Sequence, residues 1–132
     1  MIVLDASVVV DLLLDLPPYA GRIVTRIREE APALVAPHLL DAEAGQVVRR
    51  YVLRGEVSVA DAEAALEDLA ALPITRYPHT PLIARAFALR ANATVYDALY
   101  LVLAEALAAP LLTRDTALAT IPGHGAQVEV VG

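Results

Sequence analysis

The N-terminal stretch Met1–Leu14, MIVLDASVVVDLLL, decides how the rest of the chain is interpreted. Met1–Leu4 is apolar and rich in β-favouring residues, which predicts a short buried strand. Asp5 follows directly, and the apolar segment from residue 7 to about residue 16 predicts a helix. Because a lone buried carboxylate is costly unless it is paired, neutralised or bound to a metal, we ask whether other carboxylates lie beside Asp5.

Short apolar stretches and helical patterns alternate along the remainder of the chain. Further strands are predicted at residues 33–36, 74–77, 111–113 and 127–131, and helices at residues 19–30, 37–54, 58–72, 80–91 and 96–109. This alternation is typical of an α/β fold with a short, mostly parallel central sheet flanked by helices. A length of 132 residues predicts one domain.

The composition excludes several classes of chemistry. The chain has no Cys and no Lys, and all ten basic residues are Arg. Disulfides, thiolate nucleophiles, Schiff bases and P-loop phosphate binding are therefore excluded. The net charge of −6 opposes broad attraction to nucleic acid, so any such binding must be local.

The hydrophobic content, 58% of the residues, exceeds that of an ordinary globular domain. The most apolar late segment, residues 98–112, is interrupted by Glu105 and Pro110 and is too short to span a membrane. The N-terminal segment lacks a basic leader and carries three Asp residues, unlike a signal peptide. We therefore expect a cytoplasmic protein, with no membrane association, whose surplus apolar surface forms a subunit or partner interface.

Four acidic residues lie near the predicted carboxyl ends of the strands. Asp5 follows the first strand, and Asp115 follows the strand at residues 111–113. Glu43 lies early in the helix after the second strand, and Asp97 lies at the start of the helix that leads towards Asp115. Because ligands bind at the carboxyl edge of an open α/β sheet, we expect these four side chains to converge there.

A cluster of this kind predicts a metal site. Converging carboxylates repel one another, and a cation neutralises the repulsion. Oxygen ligands without His or Cys favour Mg²⁺ or Mn²⁺ over zinc. Such ions lower the pKa of a bound water and orient a phosphate for in-line displacement. The pattern therefore predicts metal-dependent hydrolysis of a phosphodiester.

Three of these residues also have a purely structural interpretation. Asp5 is placed to cap the following helix, and Asp115 is placed to occupy a turn. Asp97 completes a capping-box pattern with Thr94. Each residue taken alone is compatible with such a role, so the prediction depends on the four together.

The choice of Glu43 excludes its neighbour Asp41. Residues two apart on a helix point about 200° away from each other, so both cannot easily face one ion. Glu43 shares a stripe with Val47 at a spacing of four residues, whereas Asp41 suits a first-turn position that stabilises the helix dipole. We therefore expect Glu43 to face the site.

Three segments resemble the PIN-domain family, and within it the VapC toxins of bacterial toxin–antitoxin pairs. These segments are MIVLDASVVVDLLL, APHLLDAEAGQVVRR and TVYDALYLVLAEALAAPLLTRDTAL, and they occur in the family's order over nearly the whole chain. The resemblance implies a single PIN-like domain over residues 1–132, with three layers. It also implies a Mg²⁺- or Mn²⁺-dependent endoribonuclease of a type II toxin–antitoxin system.

The resemblance assigns roles to particular residues and partners. The family's acidic positions carry over to Asp5, Glu43, Asp97 and Asp115, as catalytic residues and metal ligands. Its supporting hydroxyl positions match Ser7 and Thr113, for which a helix cap and a strand-end residue are equally acceptable roles. The implied partners are a cognate VapB-type antitoxin, an RNA substrate such as tRNA or ribosomal RNA, and a second copy in a homodimer.

The absence of lysine leaves phosphate contacts to arginine. Arg is suited to bidentate contact with phosphate, and Arg114 stands beside Asp115. We therefore select Arg114 as a supporting residue that contacts RNA, with an ion pair to a nearby acid as the alternative.

Two other functions compete with the ribonuclease. An aspartate-based phosphatase or phosphoacceptor also carries an Asp after its first strand, but it needs a lysine that this chain lacks. A non-catalytic partner-binding module would use the acidic cluster to dock basic side chains of an antitoxin-like protein.

Overall fold

The computed structural model describes residues 1–30 and 32–132 as an α/β protein. Its strands are β1 (Ile2–Leu4), β2 (Leu34–Pro37), β3 (Ile74–Tyr77), β4 (Leu111–Thr113) and β5 (Val128–Val130). Its helices are α1 (Ala6–Leu13), α2 (Tyr19–Glu30), α3 (Leu39–Leu53), α4 (Val59–Ala71), α5 (Ile83–Ala88) and α6 (Val95–Leu107). Every predicted strand is present, which confirms the α/β interpretation.

The five strands form one sheet in the order β3-β2-β1-β4-β5. All four neighbouring pairs are parallel, so the sheet is more uniform than the mostly parallel sheet expected from the sequence. β1 lies at the centre, and its Val3 and Leu4 are in register with Leu111 and Leu112 of β4. The carboxyl ends of β1 and β4 are therefore adjacent.

Two apolar clusters cover the two faces of the sheet. Alternate residues of a strand point to opposite faces. Ile2 and Leu4 accordingly pack with α1, α3 and α4, whereas Val3 packs with α6 on the other side. Helices on both faces of a parallel sheet give the predicted three layers.

Several helix boundaries differ from the predicted ones. The helix expected at residues 80–91 consists of a 3-10 turn at Thr80–Leu82 followed by the short α5. α1 ends at Leu13 and α6 at Leu107, because Asp15 and Ala108 adopt the left-handed conformation, with φ of 51° and 49°. Because neither residue is a glycine, the sequence carries no clear signal for a left-handed helix end at these positions.

Other helix boundaries follow the local sequence closely. Ser58 and Thr94 each accept a hydrogen bond from the amide three residues later, at 3.1 Å, and so cap α4 and α6. Gly55 follows α3 with φ of 72°, a conformation that glycine adopts without a steric penalty. No helix within residues 1–30 and 32–132 is both long and apolar enough to cross a membrane.

The buried face of α6 should carry much of the stability. Leu101 is fully buried, and we expect Leu101→Ala to lower the free energy of unfolding by about 2–5 kcal/mol through lost contacts and a cavity. Leu53→Ala is the matched control, because Leu53 is 67% exposed and its truncation should change stability by less than about 0.5 kcal/mol. Urea unfolding measures both, and equal effects would contradict the assignment of the core.

Candidate active site at the carboxyl edge of the sheet

Asp5 lies at the end of β1 and is held by three hydrogen bonds. Its Oδ1 accepts from the Ala6 amide at 2.7 Å, which makes it the N-cap of α1. Its Oδ2 accepts from the Thr113 hydroxyl at 2.6 Å and from the Ser7 hydroxyl at 2.9 Å. Burial raises the pKa of Asp5 above its ordinary value, and these hydrogen bonds partly offset that effect. The capping role and a role in the site therefore coexist.

The hydroxyls of Ser7 and Thr113 connect Asp5 to the segment that follows β4. Ser7 Oγ accepts a hydrogen bond from the Arg114 amide at 3.2 Å, and Thr113 Oγ1 accepts one from the Asp115 amide at 3.0 Å. Thr113 is fully buried, so its position is fixed by the sheet. Both supporting residues thus contact Asp5 directly.

Asp115 lies in the turn after β4, as its structural interpretation requires. Its Oδ1 accepts from the Ala117 amide at 2.9 Å, in an Asx-type turn. The carboxylate nonetheless lies close enough to Asp5 and Asp97 for its charge to contribute to raising the pKa of both.

Glu43 approaches the same region from near the start of α3, and Asp97 approaches it from the first turn of α6. The pKa of Glu43 is raised by burial and further by the charges of Asp5 and Asp97. The pKa of Asp97 is raised by burial and by the charges of Asp5 and Asp115. The structure therefore brings the four predicted carboxylates into one electrostatically coupled group.

The four carboxylates, as placed, do not form a complete set of ligands for a metal ion. Within residues 1–30 and 32–132, no three acidic or histidine side chains lie close enough together to hold one metal ion as placed. The donor chemistry still fits a hard divalent cation, because Asp5, Glu43, Asp97 and Asp115 offer carboxylate oxygens at an edge where like charges repel. Rotation about side-chain bonds would be needed to bring three oxygens onto one ion.

Tyr100 of α6 is a buried neighbour of the candidate site that the sequence analysis did not include. It is 1% exposed, and its hydroxyl makes no hydrogen bond within the described part of the chain. Burial raises the pKa of the phenol, and the negative charge of the nearby Glu43 carboxylate raises it further. The available signal was its spacing of three residues from Asp97, which places both on one side of α6.

Asp11 is a buried acid that sequence reasoning did not connect to the site. Its side chain is 1% exposed, and its carboxylate binds Arg114 Nη1 at 3.0 and 2.9 Å. The Arg114 guanidinium also lies 3.5 Å from the centre of the Tyr19 ring. Arg114 therefore forms the ion pair with a nearby acid that was the alternative to its role in RNA binding. Its contact with RNA remains a prediction.

Asp41 occupies the structural position expected of it. It lies in the first turn of α3 and forms a fork-shaped ion pair with Arg76 of β3, with N–O distances of 2.8–3.1 Å. Its carboxylate is therefore bound away from the Asp5 group, in agreement with the choice of Glu43.

Comparison with known proteins gives a consistent result. The sequence profile of the PIN domain matches residues 2–123. Ribonuclease VapC1 of Mycobacterium tuberculosis is 48% identical over 130 residues, which cover 98% of this chain and 96% of that protein.

Two solved structures share the fold. PAE2754 from Pyrobaculum aerophilum superposes with a TM-score of 0.68 at 26% identity, over 96% of this chain and 89% of the other. VapBC2 from Rickettsia felis, bound to a DNA fragment from its promoter, matches with a TM-score of 0.68 at 15% identity, over 98% of both chains. At 15% identity, the similarity to VapBC2 shows a shared fold and nothing more.

The raised pKa of Glu43 predicts a pH-dependent effect on stability. A folded-state pKa above the ordinary 4.5 means that the folded chain binds more protons just above that pH, so the free energy of unfolding falls as the pH rises. We therefore expect Glu43→Gln to be more stable than wild type at pH 7 in EDTA, with the difference vanishing below pH 4.5.

Urea unfolding at both pH values measures this effect. Glu63→Gln, at an exposed position of α4, should change stability by less than about 0.5 kcal/mol at either pH. Lower stability of Glu43→Gln at pH 7 would mean that the carboxylate has a stabilising partner.

Proposed function

We infer, since this chain belongs to the PIN domain family, that it is a metal-dependent endoribonuclease that acts as the toxin of a type II toxin–antitoxin system. The observation that carries this proposal is the electrostatic coupling of Asp5, Glu43, Asp97 and Asp115 at the carboxyl ends of β1 and β4. The relative that is 48% identical is named a ribonuclease, and this name supports the proposed ribonuclease activity.

Asp5, Glu43, Asp97 and Asp115 would hold Mg²⁺ or Mn²⁺. When bound, the ion would offset the repulsion among the carboxylates and polarise the scissile phosphate. Ser7 and Thr113 donate hydrogen bonds to Asp5 and hold its carboxylate in one orientation at the end of β1.

The proposed hydrolysis uses the carboxylates at the carboxyl edge of the sheet. Water attacks phosphorus, the bond from phosphorus to the 3′-oxygen breaks, and the products carry 5′-phosphate and 3′-hydroxyl ends. One of the four carboxylates positions the attacking water and takes its proton as general base. The leaving 3′-oxygen takes a proton from solvent.

Exposed apolar side chains support the proposed protein partners. Val59 and Leu66 are 60% and 39% exposed on α4. Ile83 and Phe87 are 40% and 56% exposed on α5. We propose that such surfaces serve a VapB-type antitoxin and a homodimer contact.

The remaining parts of the proposal concern the domain, its location and its substrate. We propose that residues 1–132 form a single PIN-like domain acting in the cytoplasm on tRNA or ribosomal RNA. The net charge of −6 implies that RNA binds through a few local contacts, and that binding depends strongly on the shape of the RNA.

Cleavage of purified total tRNA and ribosomal RNA, with Mg²⁺ or Mn²⁺ and with EDTA, tests the activity. We expect metal-dependent cuts at limited sites by wild type, and a rate lower by about 100-fold or more for Asp97→Asn. Asp5→Asn should likewise lose cleavage and keep its fold, as judged by its far-ultraviolet circular dichroism and its urea midpoint.

Asp61→Asn is a matched control for Asp97→Asn. Asp61 occupies the same capping position in α4, where its amide bonds Ser58 at 3.1 Å as that of Asp97 bonds Thr94. Its replacement should leave cleavage unchanged. Equal cutting by wild type and Asp97→Asn would overturn the role of Asp97. A wild type that neither cuts nor binds Mn²⁺ would favour a non-catalytic partner-binding module, whereas one that binds Mn²⁺ without cutting would mean that the substrate is missing from the assay.

A further inference from the structure

The buried carboxylate of Asp11 has no part in the hydrolysis described above. It points from α1 into the interior with 1% of its side chain exposed, and Arg114 is its one ionic partner among the described residues. Burying an ion pair costs several kcal/mol of desolvation per ion, and apolar side chains of similar volume often stabilise a fold better. The contacts of Asp11 and Arg114 therefore raise the question of whether this pair specifies a geometry.

Arg114 is bound to α1 at two points. Its backbone amide donates to Ser7 Oγ at 3.2 Å, and its guanidinium donates to Asp11 Oδ1 at 3.0 Å. Ser7 and Asp11 are four residues apart and lie on the same face of the helix. Arg114, which follows β4, therefore contacts α1 at two residues that are about one helical turn apart.

Tyr19 fixes the guanidinium from the other side. The Arg114 carbon Cζ lies 3.5 Å from the centre of the Tyr19 ring, at the start of α2. A planar guanidinium stacked on a ring and paired with a carboxylate has little freedom to rotate. Three elements, α1, α2 and β4, thus meet at one side chain.

Arg114 also stands between two members of the candidate active site. Thr113 before it binds Asp5, and Asp115 after it carries one of the coupled carboxylates. A shift of Arg114 would move both neighbours, because the three residues are consecutive.

We propose that Asp11, acting through Arg114 and Tyr19, is a positioning residue that holds the Thr113–Asp115 segment in register with Asp5. The expected effect of Asp11 on cleavage rests on the proposed ribonuclease function. The ion pair assigns the Arg114 guanidinium to α1 rather than to an RNA phosphate.

The main test replaces the ion pair by apolar side chains. Asp11→Leu/Arg114→Leu leaves no unpaired buried charge, so the fold should be retained with a urea midpoint close to that of wild type. We expect kcat for the RNA that the wild type cleaves to fall by about 10–100-fold, with KM unchanged. Asp11→Asn and Arg114→Lys should lie between wild type and the double variant.

A second readout does not depend on activity. The amides of Arg114 and Asp115 bond the hydroxyls of Ser7 and Thr113, and hydrogen exchange reports how firmly they are held. Both should exchange faster in Asp11→Leu/Arg114→Leu. The Leu111 amide, bonded to the Gln127 carbonyl at 2.8 Å within the sheet, should not change.

A second ion pair provides the matched control. Arg26 of α2 and Glu129 of β5 form two hydrogen bonds of 2.7 and 2.9 Å, with the same sequence separation of 103 residues as Asp11 and Arg114. Arg26→Leu/Glu129→Leu should leave cleavage and the exchange of the Arg114 amide as in wild type.

The outcomes separate the competing roles. A raised KM with unchanged kcat in Arg114→Lys would assign the guanidinium to RNA and overturn the proposal. Unchanged exchange at Arg114 and Asp115 in the double apolar variant would also overturn it, whatever the rate of cleavage. If wild type neither cleaves RNA nor binds Mn²⁺, the proposed function fails, and the exchange result alone decides whether Asp11 positions the segment.

Discussion

The hydrogen bond from the Thr113 hydroxyl to Asp5 Oδ2, at 2.6 Å, is the contact on which the candidate site depends. It joins the ends of two adjacent parallel strands and brings residues 108 positions apart in the sequence into one network. A buried carboxylate without such donors would carry a large desolvation penalty. Thr113 and Ser7 reduce that penalty without adding a cation, so the charge of Asp5 remains available to a ligand.

The sheet explains why the site lies where it does. β1 is the central strand, and apolar clusters cover both faces of the sheet. A polar group that follows β1 can therefore reach a ligand only at the edge where the strand ends. The parallel register with β4 brings Asp115 to the same edge as Asp5, and α3 and α6 begin close enough for Glu43 and Asp97 to act on Asp5. The fold thus concentrates negative charge by topology alone.

Asp5 and Asp11 show two ways of burying a carboxylate. Asp5 is stabilised by neutral hydroxyl and amide donors, which leaves a net negative charge in a group of repelling acids. Asp11 is neutralised by Arg114, and the pair joins α1 to the segment after β4. The first arrangement suits binding of a cation, and the second suits fixing the position of a neighbour.

The sequence by itself determined the strands and the helix cap at Thr94, and it selected the four acids proposed for the site. These features depend on local periodicity, on capping chemistry and on the rule that parallel strands end at one edge. Only the tertiary structure decided the partners of Asp11 and the burial of Tyr100 beside the acids. An ion pair between residues 103 positions apart leaves no local pattern, because its geometry arises when separate elements pack against one sheet.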